Sequence, residues 1–455
     1  MNRRIMVCRT SVRPIYRLGN DAEAHTPPGS RTSGAGSGPV MRRKYKFLML
    51  NCALPYPLVS GSRIRDYYLI REMSRAADVV LCSFVPYQRE IPEELRRICT
   101  AVECFRPGPR RLRELVIEMW HGIRAGRPVG AQRLFFTPFA DRIRTLIEEH
   151  AVDVVQIEHS QLAGYVDAIP TDRPICKILS LHNLGWVQSA REVRLKPAAG
   201  RRTLSIFNAL TMRNWEARYA ERFDHCITVS ELDAARVRAR NPRLRVSTIE
   251  NGVDCGRLRP LPEVSTGNDL LFVGLLDYPP NADAVLFFCD RILPAIRRRV
   301  ANARLLVIGD GAPPAVRRLA GRDDVVLAGQ VEDVVPYYQR SSVSVVPLRA
   351  GSGTRLKILE AMALGRPVVA TGIGCEGLDI RHGREFLIAD TAEEFARSVV
   401  RLLGDPGLRR ALATQARARV EERYDWPNIG RKLLALHHDV LAANQVPSRA
   451  ARVDF

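Results

Sequence analysis

From Lys46 onward, short apolar runs alternate with segments of helical periodicity. An apolar run of four to eight residues between turn signals is typical of a buried strand, and strands that alternate with helices are typical of parallel βαβ units. A helix is predicted to begin near Arg63. In this first part of the chain, buried strands are predicted over residues 46–50, 78–84, 153–158, 175–181, 226–230 and 246–250.

A second alternating series follows a Pro-rich, weakly patterned stretch that ends near Asn268. Its predicted strands are 270–274, 304–311, 325–329, 343–348, 367–372 and 386–390. The segment 422–441 then has the pattern of an amphipathic helix. Because 455 residues are too many for one core of ordinary size, the predicted fold class is α/β with two doubly wound domains. Ligands are expected in the cleft between them, at the carboxyl ends of the strands.

The domain boundaries follow from this pattern. We predict a first domain over 45–262, a second over 263–425, a C-terminal helix over 426–445 and a flexible tail over 446–455. Residues 1–44 are rich in Arg, Gly, Ser, Thr and Pro, which indicates a disordered basic tail. An over-extended start site before Met41 is one explanation of this tail, and a basic segment with a binding role is the other.

The amino-acid composition indicates which kinds of molecule the protein binds. The net charge is +20, and six of the 69 basic residues are lysine. Such a charge favours anionic partners such as sugar nucleotides, lipid phosphates or an acidic membrane face. Zinc-finger spacing, RNP-like aromatic motifs and a basic zipper are all absent from the sequence, so no nucleic-acid partner is expected. The ten cysteines show neither a CxxC pair nor metal-ligand spacing, which predicts buried thiols in a reducing cytoplasm and no metal site.

The segment GSGTRLKILEAMALGRPVVAT, residues 351–371, predicts a glycine-rich loop that leads into an amphipathic helix, a turn and a strand. Thr354 is predicted to cap this helix, so that the first helical N–H groups face a ligand. A helix N-terminus suits a phosphate, and Arg355 and Lys357 add cationic donors there. Glu360, one turn further on, is placed to accept hydrogen bonds from a ribose diol. The combination predicts a nucleoside diphosphate site; the alternative is an ordinary loop and helix.

A dinucleotide cofactor is not expected. The turns after the first strand of each domain read NCALPYPLVSGSR and GLLDYPPN, and neither matches the GxGxxG pattern. The P-loop pattern is absent as well. We therefore predict that no cofactor is needed and that the nucleotide is part of a substrate.

Segments in both halves resemble, in order, those of glycosyltransferase family 4, the group 1 glycosyl transferases of GT-B fold. They are 55–73, LSLHN (179–183), ITVSE (227–231), ENGVD (250–254), FVGLLDYPPN (272–281), LLVIGDG (305–311), 325–348, the loop and helix, and GIGCEGL (372–378). The resemblance covers most of residues 45–425. It implies two Rossmann-like domains facing across a cleft, with the C-terminal helix crossing back to the first domain. It also implies retaining, metal-independent transfer of a sugar from a nucleotide diphosphate to an acceptor.

The resemblance assigns residues of the donor site by position. Glu360 corresponds to the ribose-binding glutamate that closes the E-x7-E motif of the family, whereas the first glutamate falls on Ser352. This departure leaves the donor sugar, and turnover itself, in question. Leu275 stands where many relatives have an arginine for the phosphates, and we expect Arg355 and Lys357 to supply that charge from the facing loop. The other residues predicted to bind the donor are Gly353, Thr354 and Gly274.

His182 directly follows an apolar strand, and in similar enzymes a histidine here touches the donor sugar. We predict a catalytic role for His182 beside Arg355 and Lys357; a purely structural histidine is the alternative. Glu158 and His159 end the preceding strand and are further candidates to reach the cleft, with less support than His182. No acidic pair is expected to act as nucleophile and base, so the phosphate of the donor is expected to deprotonate the attacking hydroxyl.

The loop SGSRIR, residues 60–65, corresponds to a turn that approaches the donor phosphates or the acceptor in similar enzymes. Gly61 is predicted to allow this approach. Arg63 and Arg65 are candidates to meet an anionic acceptor, and a solvated helix start is the alternative.

Residues 109–146 combine arginines with large apolar residues, a composition typical of a membrane-surface helix. These apolar residues are Leu115, Trp120, Leu134, Phe135, Phe136 and Phe139. A helix that packs on the core is the alternative. The predicted function is sugar transfer to a glycan or lipid-linked acceptor in cell-surface polysaccharide synthesis, in the cytoplasm or on the inner face of an anionic membrane. The alternative function is a non-catalytic sugar-nucleotide-binding partner of a polysaccharide assembly complex, which Ser352 favours. An epimerase of this fold would need further carboxylates in the cleft.

Overall fold

The computed structural model describes residues 45–444 apart from 86–89, 108–119, 121–123, 125, 196–198 and 263–266. The predicted tails, 1–44 and 446–455, lie outside the described residues, as does most of the part of the 109–146 segment that precedes Gly126.

The first sheet has seven parallel strands in the order β3-β2-β1-β4-β5-β6-β7. They are β1 (Lys46–Asn51), β2 (Asp78–Phe84), β3 (Ala101–Phe105), β4 (Val154–Glu158), β5 (Cys176–Leu181), β6 (His225–Thr228) and β7 (Val246–Thr248). The sequence predicts all of them except β3. This edge strand is only half-buried along its whole length, so it lacks the continuous apolar run that marks a central parallel strand.

The second sheet has six parallel strands in the order β10-β9-β8-β11-β12-β13. They are β8 (Asp269–Val273), β9 (Arg304–Ile308), β10 (Val325–Gly329), β11 (Val343–Val346), β12 (Val368–Ala370) and β13 (Leu387–Ile388). All six are predicted from the sequence, and the predicted α/β class with two doubly wound sheets is confirmed. Several predicted strands extend too far, because residues such as Gly309 and Asp310 already belong to the loops at the carboxyl edge.

Helices cover both sheets. Those of the first part are α1 (Gly61–Met73), α2 (Glu93–Ile98), α3 (Val129–Arg133), α4 (Thr137–Glu149), α5 (Gly185–Glu192), α6 (Ala199–Ala220) and α7 (Glu231–Arg240). Those of the second are α8 (Pro279–Phe287), α9 (Leu293–Arg297), α10 (Pro314–Arg317), α11 (Val335–Arg340), α12 (Leu356–Ala363), α13 (Ala392–Gly404), α14 (Pro406–Arg423) and α15 (Trp426–Ala443). A π-helical turn, Phe288–Ile292, joins α8 to α9. A 3-10 segment, Ser160–Ala168, follows β4.

Local sequence explains several helix starts. Ser60 precedes α1, and its hydroxyl accepts a hydrogen bond from the amide of Arg63, as an N-cap serine does. Thr391 and Glu394 form a reciprocal capping box at the start of α13. Pro427 lies in the first turn of α15, where its missing N–H group costs no helical hydrogen bond.

The C-terminal helix α15 crosses back onto the first sheet, as predicted. Its first residue, Trp426, stacks on Tyr68 of α1 with ring centroids 5.0 Å apart. Further along, His437 packs on Phe47 of β1, and its Nε2 atom lies 2.9 Å from Oε1 of Gln156 in β4. A Cβ atom at Gly430 would lie 2.6 Å from Glu72, so this crossing depends on a glycine. The helix therefore fixes the second sheet relative to the first.

The described cysteines are all free thiols, and Cys82 and Cys226 are buried as predicted, whereas Cys52 is partly buried. Cys8 lies outside the described residues. Within the described part of the chain, no helix has the length and the apolar character that crossing a bilayer requires.

Candidate active site

A cleft of about 770 Å³ lies where the carboxyl ends of the two sheets meet. The side chains and backbone that line it from the first sheet include Gly61, Arg65, His159, His182 and Asn251. From the second sheet the lining includes Gly274, Leu275, Tyr278, Asn281, Ser352, Thr354, Arg355, Lys357 and Glu360. The fold thus brings eight of the ten predicted site residues to one cleft.

The other two predicted residues lie beside the cleft without lining it. Gly353 has a φ of +73°, and a Cβ atom there would lie 2.6 Å from the carbonyl oxygen of His182, so this glycine lets the loop pack against the first domain. Arg63 is partly buried, which lowers its pKa. Its neighbour Arg65 is not a solvated helix start: it is buried and donates to the carbonyl oxygens of Ile249 and Glu250.

Thr354 does not cap the helix, so this prediction is wrong. α12 begins at Leu356, with Arg355 in the N-cap position and no side-chain cap. The hydroxyl of Thr354 instead accepts a hydrogen bond of 2.8 Å from Nδ2 of Asn251 in the first domain. The tertiary contact outcompetes the local cap, and the N-cap position lies one residue later than predicted, at Arg355.

Lys357 lies partly buried in the wall of the cleft. Its Nζ atom donates to Oδ1 of Asn281 at 2.9 Å and lies 4.1 Å from the ring centroid of Phe272. Burial, together with the charge of Arg355, lowers the pKa of Lys357 to about 7 although Glu360 opposes the shift. The ammonium group lies over Gly274, where a Cβ atom would approach Nζ to 2.6 Å.

Asn281 links Lys357 of α12 to the turn after β8, where Leu275 stands at the position predicted to lack a phosphate-binding arginine. Its Nδ2 atom donates to the carbonyl oxygen of Leu275 at 2.7 Å, while its Oδ1 atom accepts from Lys357. Asn281 thereby holds the lysine against the turn after β8. The sequence offers no signal for this role, because Asn281 lies in a PPN turn that reads only as a helix start.

Arg355 has N–H groups that the protein does not satisfy. Its Nη1 atom donates to the carbonyl oxygens of Ser352 and Gly353. Nε and Nη2 are buried without a hydrogen-bond partner, and burial lowers the pKa of the guanidinium. Buried polar groups without partners are costly, so this arrangement suits an anionic ligand that accepts from them.

His182 lies between two buried carboxylates. Its Nε2 atom is 2.6 Å from Oε2 of Glu158 and 3.2 Å from Oδ1 of Asp66. The carboxylates have further partners, since Gln156 donates to Glu158 at 2.6 Å and Asn51 donates to Asp66 at 2.7 Å. Two acidic residues are therefore close together beside His182. Neither of them lines the cleft, so the expectation that no acidic pair acts as nucleophile and base stays a prediction.

The electrostatics of this group favour a charged imidazole. Burial by itself lowers the pKa of His182, but the carboxylates of Asp66 and Glu158 outweigh burial and raise that pKa to about 9. Burial raises the pKa of Asp66, while the pKa of Glu158 is lowered by its pairing with His182 against the effect of burial. His182 is therefore an imidazolium at neutral pH, and its Nδ1 atom has no hydrogen-bond partner in the described structure.

Asp66, His159 and His182 also form the one set of potential metal ligands found among the described residues, with ligand atoms within 4.8 Å of one another. His159 has a strained φ of +73° and a pKa held well below the usual value by burial. Nε2 of His182 is already shared with Glu158 at 2.6 Å. Nε2 of His182 is therefore already engaged by a carboxylate, and Nδ1 is the ring nitrogen without a partner.

Comparison with known families identifies the fold and the class of activity. Residues 59–257 match the family described as Glycosyltransferase Family 4, and residues 267–405 match the family described as Glycosyl transferases group 1. The two matches cover every strand of the two sheets except β1, and all the residues described above as lining the cleft. The chain belongs to the group 1 glycosyltransferases.

Curated relatives support this assignment. The chain is 27% identical over 248 residues to a phosphatidyl-myo-inositol mannosyltransferase of Mycobacterium leprae. The aligned segment covers 52% of this chain and 64% of that protein, so it spans less than two thirds of the relative's length. The chain is 26% identical over 330 residues to a D-inositol 3-phosphate glycosyltransferase of Acidothermus cellulolyticus, covering 68% of this chain and 71% of that protein.

Solved structures show the same fold at low identity. Sucrose-phosphate synthase from Thermosynechococcus elongatus superposes with a TM-score of 0.69 at 19% identity, over 88% of this chain and 100% of that chain. Anabaena HepE in complex with UDP-glucose superposes with a TM-score of 0.61 at 15% identity, over 87% of this chain and 99% of that chain. The predicted GT-B architecture is thereby confirmed.

Contacts across the cleft join the two domains of this glycosyltransferase. Ser352, at the position of the first motif glutamate, is buried, and its hydroxyl accepts from the amide of Leu184 at 3.2 Å. Glu376 of the GIGCEGL segment accepts from Arg236 at 2.6 Å and also pairs with Arg191 of α5. These pairs hold the pKa of Glu376 at about 2 in spite of partial burial, which opposes the shift. Ser352 thus takes part in the contact between the domains.

Sequence reasoning missed three residues that organise the site: Asp66, Asn281 and Glu376. Asp66 lies inside α1, whose polar and apolar positions give no clear face, so its burial leaves no periodic signal. Glu376 lies in a segment that the resemblance does mark, but its two arginine partners are 140 and 185 positions away along the chain.

The buried carboxylate beside His182 predicts a pH dependence of stability. Because the pKa of His182 is raised above the unfolded value of about 6.5, its ion pairing contributes stability that is fully present below pH 6.5 and is lost as the pH rises through about 9. Replacing Glu158→Gln removes one carboxylate, so the pKa of His182 should fall and the loss should occur at lower pH. Urea unfolding at pH 6, 7.5 and 9 measures the effect.

Glu231→Gln is the matched control, since this exposed glutamate lies on α7 away from the cleft. Its unfolding free energy should follow the wild-type pH profile. An unchanged profile in Glu158→Gln would show that Asp66 alone sets the charge of His182.

Proposed function

We propose that the protein transfers a sugar from a nucleoside diphosphate to a glycan or lipid-linked acceptor, with retention at the anomeric carbon. The observation that carries the proposal is the convergence of Arg355, Lys357 and Glu360 on one cleft at the first turns of α12. Two partly buried cations meet the charge of a diphosphate, and a carboxylate one turn away accepts from a ribose diol. HepE, which shares this fold, was solved in complex with UDP and with UDP-glucose.

Retention is proposed from the placement of the carboxylates. Glu360 is the one carboxylate among the described residues that line the cleft, and it is assigned to the ribose. Asp66 and Glu158 are bound to His182 and do not face the donor. A carboxylate nucleophile is therefore missing from the cleft lining, and a phosphate oxygen of the donor takes the proton of the attacking hydroxyl on the same face of the sugar. The bond from C1 to the diphosphate breaks as the bond to the acceptor oxygen forms.

The protein contributes electrostatics and orientation to this step. Lys357 and the unsatisfied N–H groups of Arg355 stabilise the charge that develops on the leaving diphosphate. The imidazolium of His182 offers its Nδ1–H group to the sugar. Because protein cations meet the diphosphate, the proposed reaction needs no divalent cation.

The proposed acceptor is lipid-linked or phosphorylated. Relatives are named phosphatidyl-myo-inositol mannosyltransferase and D-inositol 3-phosphate glycosyltransferase, and both names describe acceptors that carry phosphate. The net charge of +20 suits such an acceptor and an anionic membrane. Cell-surface polysaccharide synthesis at the inner face of the membrane, in the cytoplasm, is the corresponding proposal for its role.

A donor screen tests the function. We expect the melting temperature of the chain to rise with one of UDP, GDP or ADP and with the matching sugar nucleotide, in EDTA as in magnesium. The same sugar nucleotide should release free nucleotide in the presence of an acceptor, and NMR of the product should show the anomeric configuration of the donor.

The outcomes separate the two candidate functions. Stabilisation by a nucleotide without transfer to lipid or glycan acceptors would favour a non-catalytic binding partner, for which Ser352 at the position of the first motif glutamate is the supporting observation. A product with inverted configuration would contradict the proposed mechanism. Absence of stabilisation by all three nucleotides would contradict the donor site.

A further inference from the structure

A face of helix α6 carries large apolar side chains in solvent. Ile206, Phe207 and Leu210 are 49%, 40% and 55% exposed, whereas Met212 and Trp215 of the same helix are buried. Positions 206, 207 and 210 are neighbours on one side of a helix, so the three side chains form a continuous patch. Isolated exposed apolar residues need no explanation, but a contiguous patch of this kind indicates an interaction surface.

Cations border this patch. Arg202 and Arg213 are exposed and lie along one edge of the face, and Arg218 is exposed on the other edge. Residues 199–215 contain three arginines and no carboxylate. An amphipathic helix with apolar residues flanked by arginine is typical of helices that lie in the interface of an anionic bilayer.

The patch is connected to the cleft through the 3-10 segment Ser160–Ala168. Trp215 of α6 donates to the carbonyl oxygen of Ser160 at 2.7 Å. On the other side of this segment, Gly130 of α3 packs on Gln161, and both residues line the cleft. Val129 beside Gly130 is also exposed, and residues 126–136 contain two arginines and no carboxylate. The helix that carries the apolar patch and the α3 segment at the cleft therefore both pack on the 3-10 segment Ser160–Ala168.

We propose that the exposed face of α6 docks on an anionic phospholipid bilayer and so places the cleft at the membrane surface. The occupant is assigned from charge complementarity, since residues 199–215 and 126–136 together contain five arginines and no carboxylate. This inference rests on the proposed function in one respect, because a docked cleft would take its acceptor from the bilayer. The main docking element, α6, lies outside the region 109–146 that the sequence offers as a candidate membrane-surface helix, whereas the α3 segment lies within that region.

Vesicle sedimentation with the full chain tests the proposal. We expect binding to anionic vesicles, made of phosphatidylcholine with about 30% phosphatidylglycerol, and weak binding to vesicles of phosphatidylcholine alone. The triple variant Ile206→Ser, Phe207→Ser, Leu210→Ser should lose about a hundredfold in affinity for the anionic vesicles. Leu232→Ser is the matched control, since Leu232 is 41% exposed on α7, and it should bind like the wild type.

Equal binding of the triple variant and the wild type, or no binding of the wild type to anionic vesicles, would overturn the proposal. So would a wild-type dimer in sedimentation velocity that the triple variant converts to a monomer without any vesicle binding, because the patch would then serve a second copy of the chain. Unchanged melting temperatures confirm that the variants fold. The vesicle assay contains no nucleotide, so its failure is distinct from a failure of donor binding.

Discussion

Replacing Glu360→Ala is expected to weaken binding of the nucleoside diphosphate by at least about a hundredfold. The carboxylate is 7% exposed at the cleft, and a ribose diol would donate two hydrogen bonds to it. Hydrogen bonds to a charged group contribute about 1.5–3 kcal/mol each, and about 1.4 kcal/mol corresponds to a factor of ten in affinity. Glu360 also opposes the lowering of the pKa of Lys357, so its loss should leave that lysine less protonated at pH 7.

Isothermal titration with the nucleotide found in the donor screen measures this effect. Glu360→Gln keeps one acceptor oxygen and should lose only about tenfold. Glu393→Ala, at an exposed position in the first turn of α13, is the matched control and should bind like the wild type. An affinity of Glu360→Ala within threefold of the wild type, a margin of about 0.6 kcal/mol, would exclude the ribose assignment.

Replacing Lys357→Met is expected to reduce kcat/KM for transfer by about a thousandfold. The substitution keeps the aliphatic part of a partly buried side chain and removes the ammonium group. Loss of one preorganised donor to a developing negative charge costs about 10²–10³ in rate, and loss of ground-state attraction to the diphosphate adds to it. Without a lysine, Asn281 also loses the donor to its Oδ1 atom.

The pH dependence of binding separates charge from packing at Lys357. Because burial first, and then Arg355, hold its pKa at about 7 in the free protein, the cationic form is lost as the pH rises through 7. A bound diphosphate favours the cation, so we expect proton uptake on binding and weaker binding at pH 8 than at pH 6. Titration in two buffers of different ionisation enthalpy measures this uptake.

In Lys357→Met the proton uptake should disappear. Lys432→Met is the matched control, since Lys432 pairs with Glu250 at 3.2 Å and does not line the cleft. A wild-type affinity that does not change between pH 6 and 8 would show that Lys357 stays protonated, and a Met variant with wild-type turnover would remove it from the mechanism.

Much of the fold follows from local pattern. Twelve of the thirteen strands are predicted because a parallel strand covered on both faces needs a continuous apolar run, and Leu48, Met49 and Leu50 are fully buried in this way. Strand β3 is missed because it lies at the sheet edge, where half-burial is enough. The glycine-rich loop and α12 are predicted as well, although the helix begins one residue later than a cap at Thr354 would place it.

The site likewise contains residues that the sequence groups together and contacts that only the structure shows. Arg355, Lys357 and Glu360 lie close together in sequence, so one helix carries all three to the cleft and the sequence alone predicts the grouping. The roles assigned to them stay predictions, as do those of His182 and Gly274. Thr354 shows the limit of local reasoning: its hydroxyl is taken by Asn251, 103 positions away.

By itself, the sequence determined the two-sheet α/β architecture, the C-terminal helix and the position of the phosphate-type loop, because these depend on periodicity and on neighbours a few residues apart. The crossing of that helix back to the first domain was implied by the family resemblance. Only the tertiary structure decided which charges meet. The pairing of His182 with Asp66 and Glu158, the support of Lys357 by Asn281, 76 positions away, and the burial of Ser352 against Leu184, 168 positions away, arise where strand ends of separate units converge. Such contacts leave no local pattern in the sequence. The helix or strand that contains each residue would be predicted in the same way whether or not the distant partner were present.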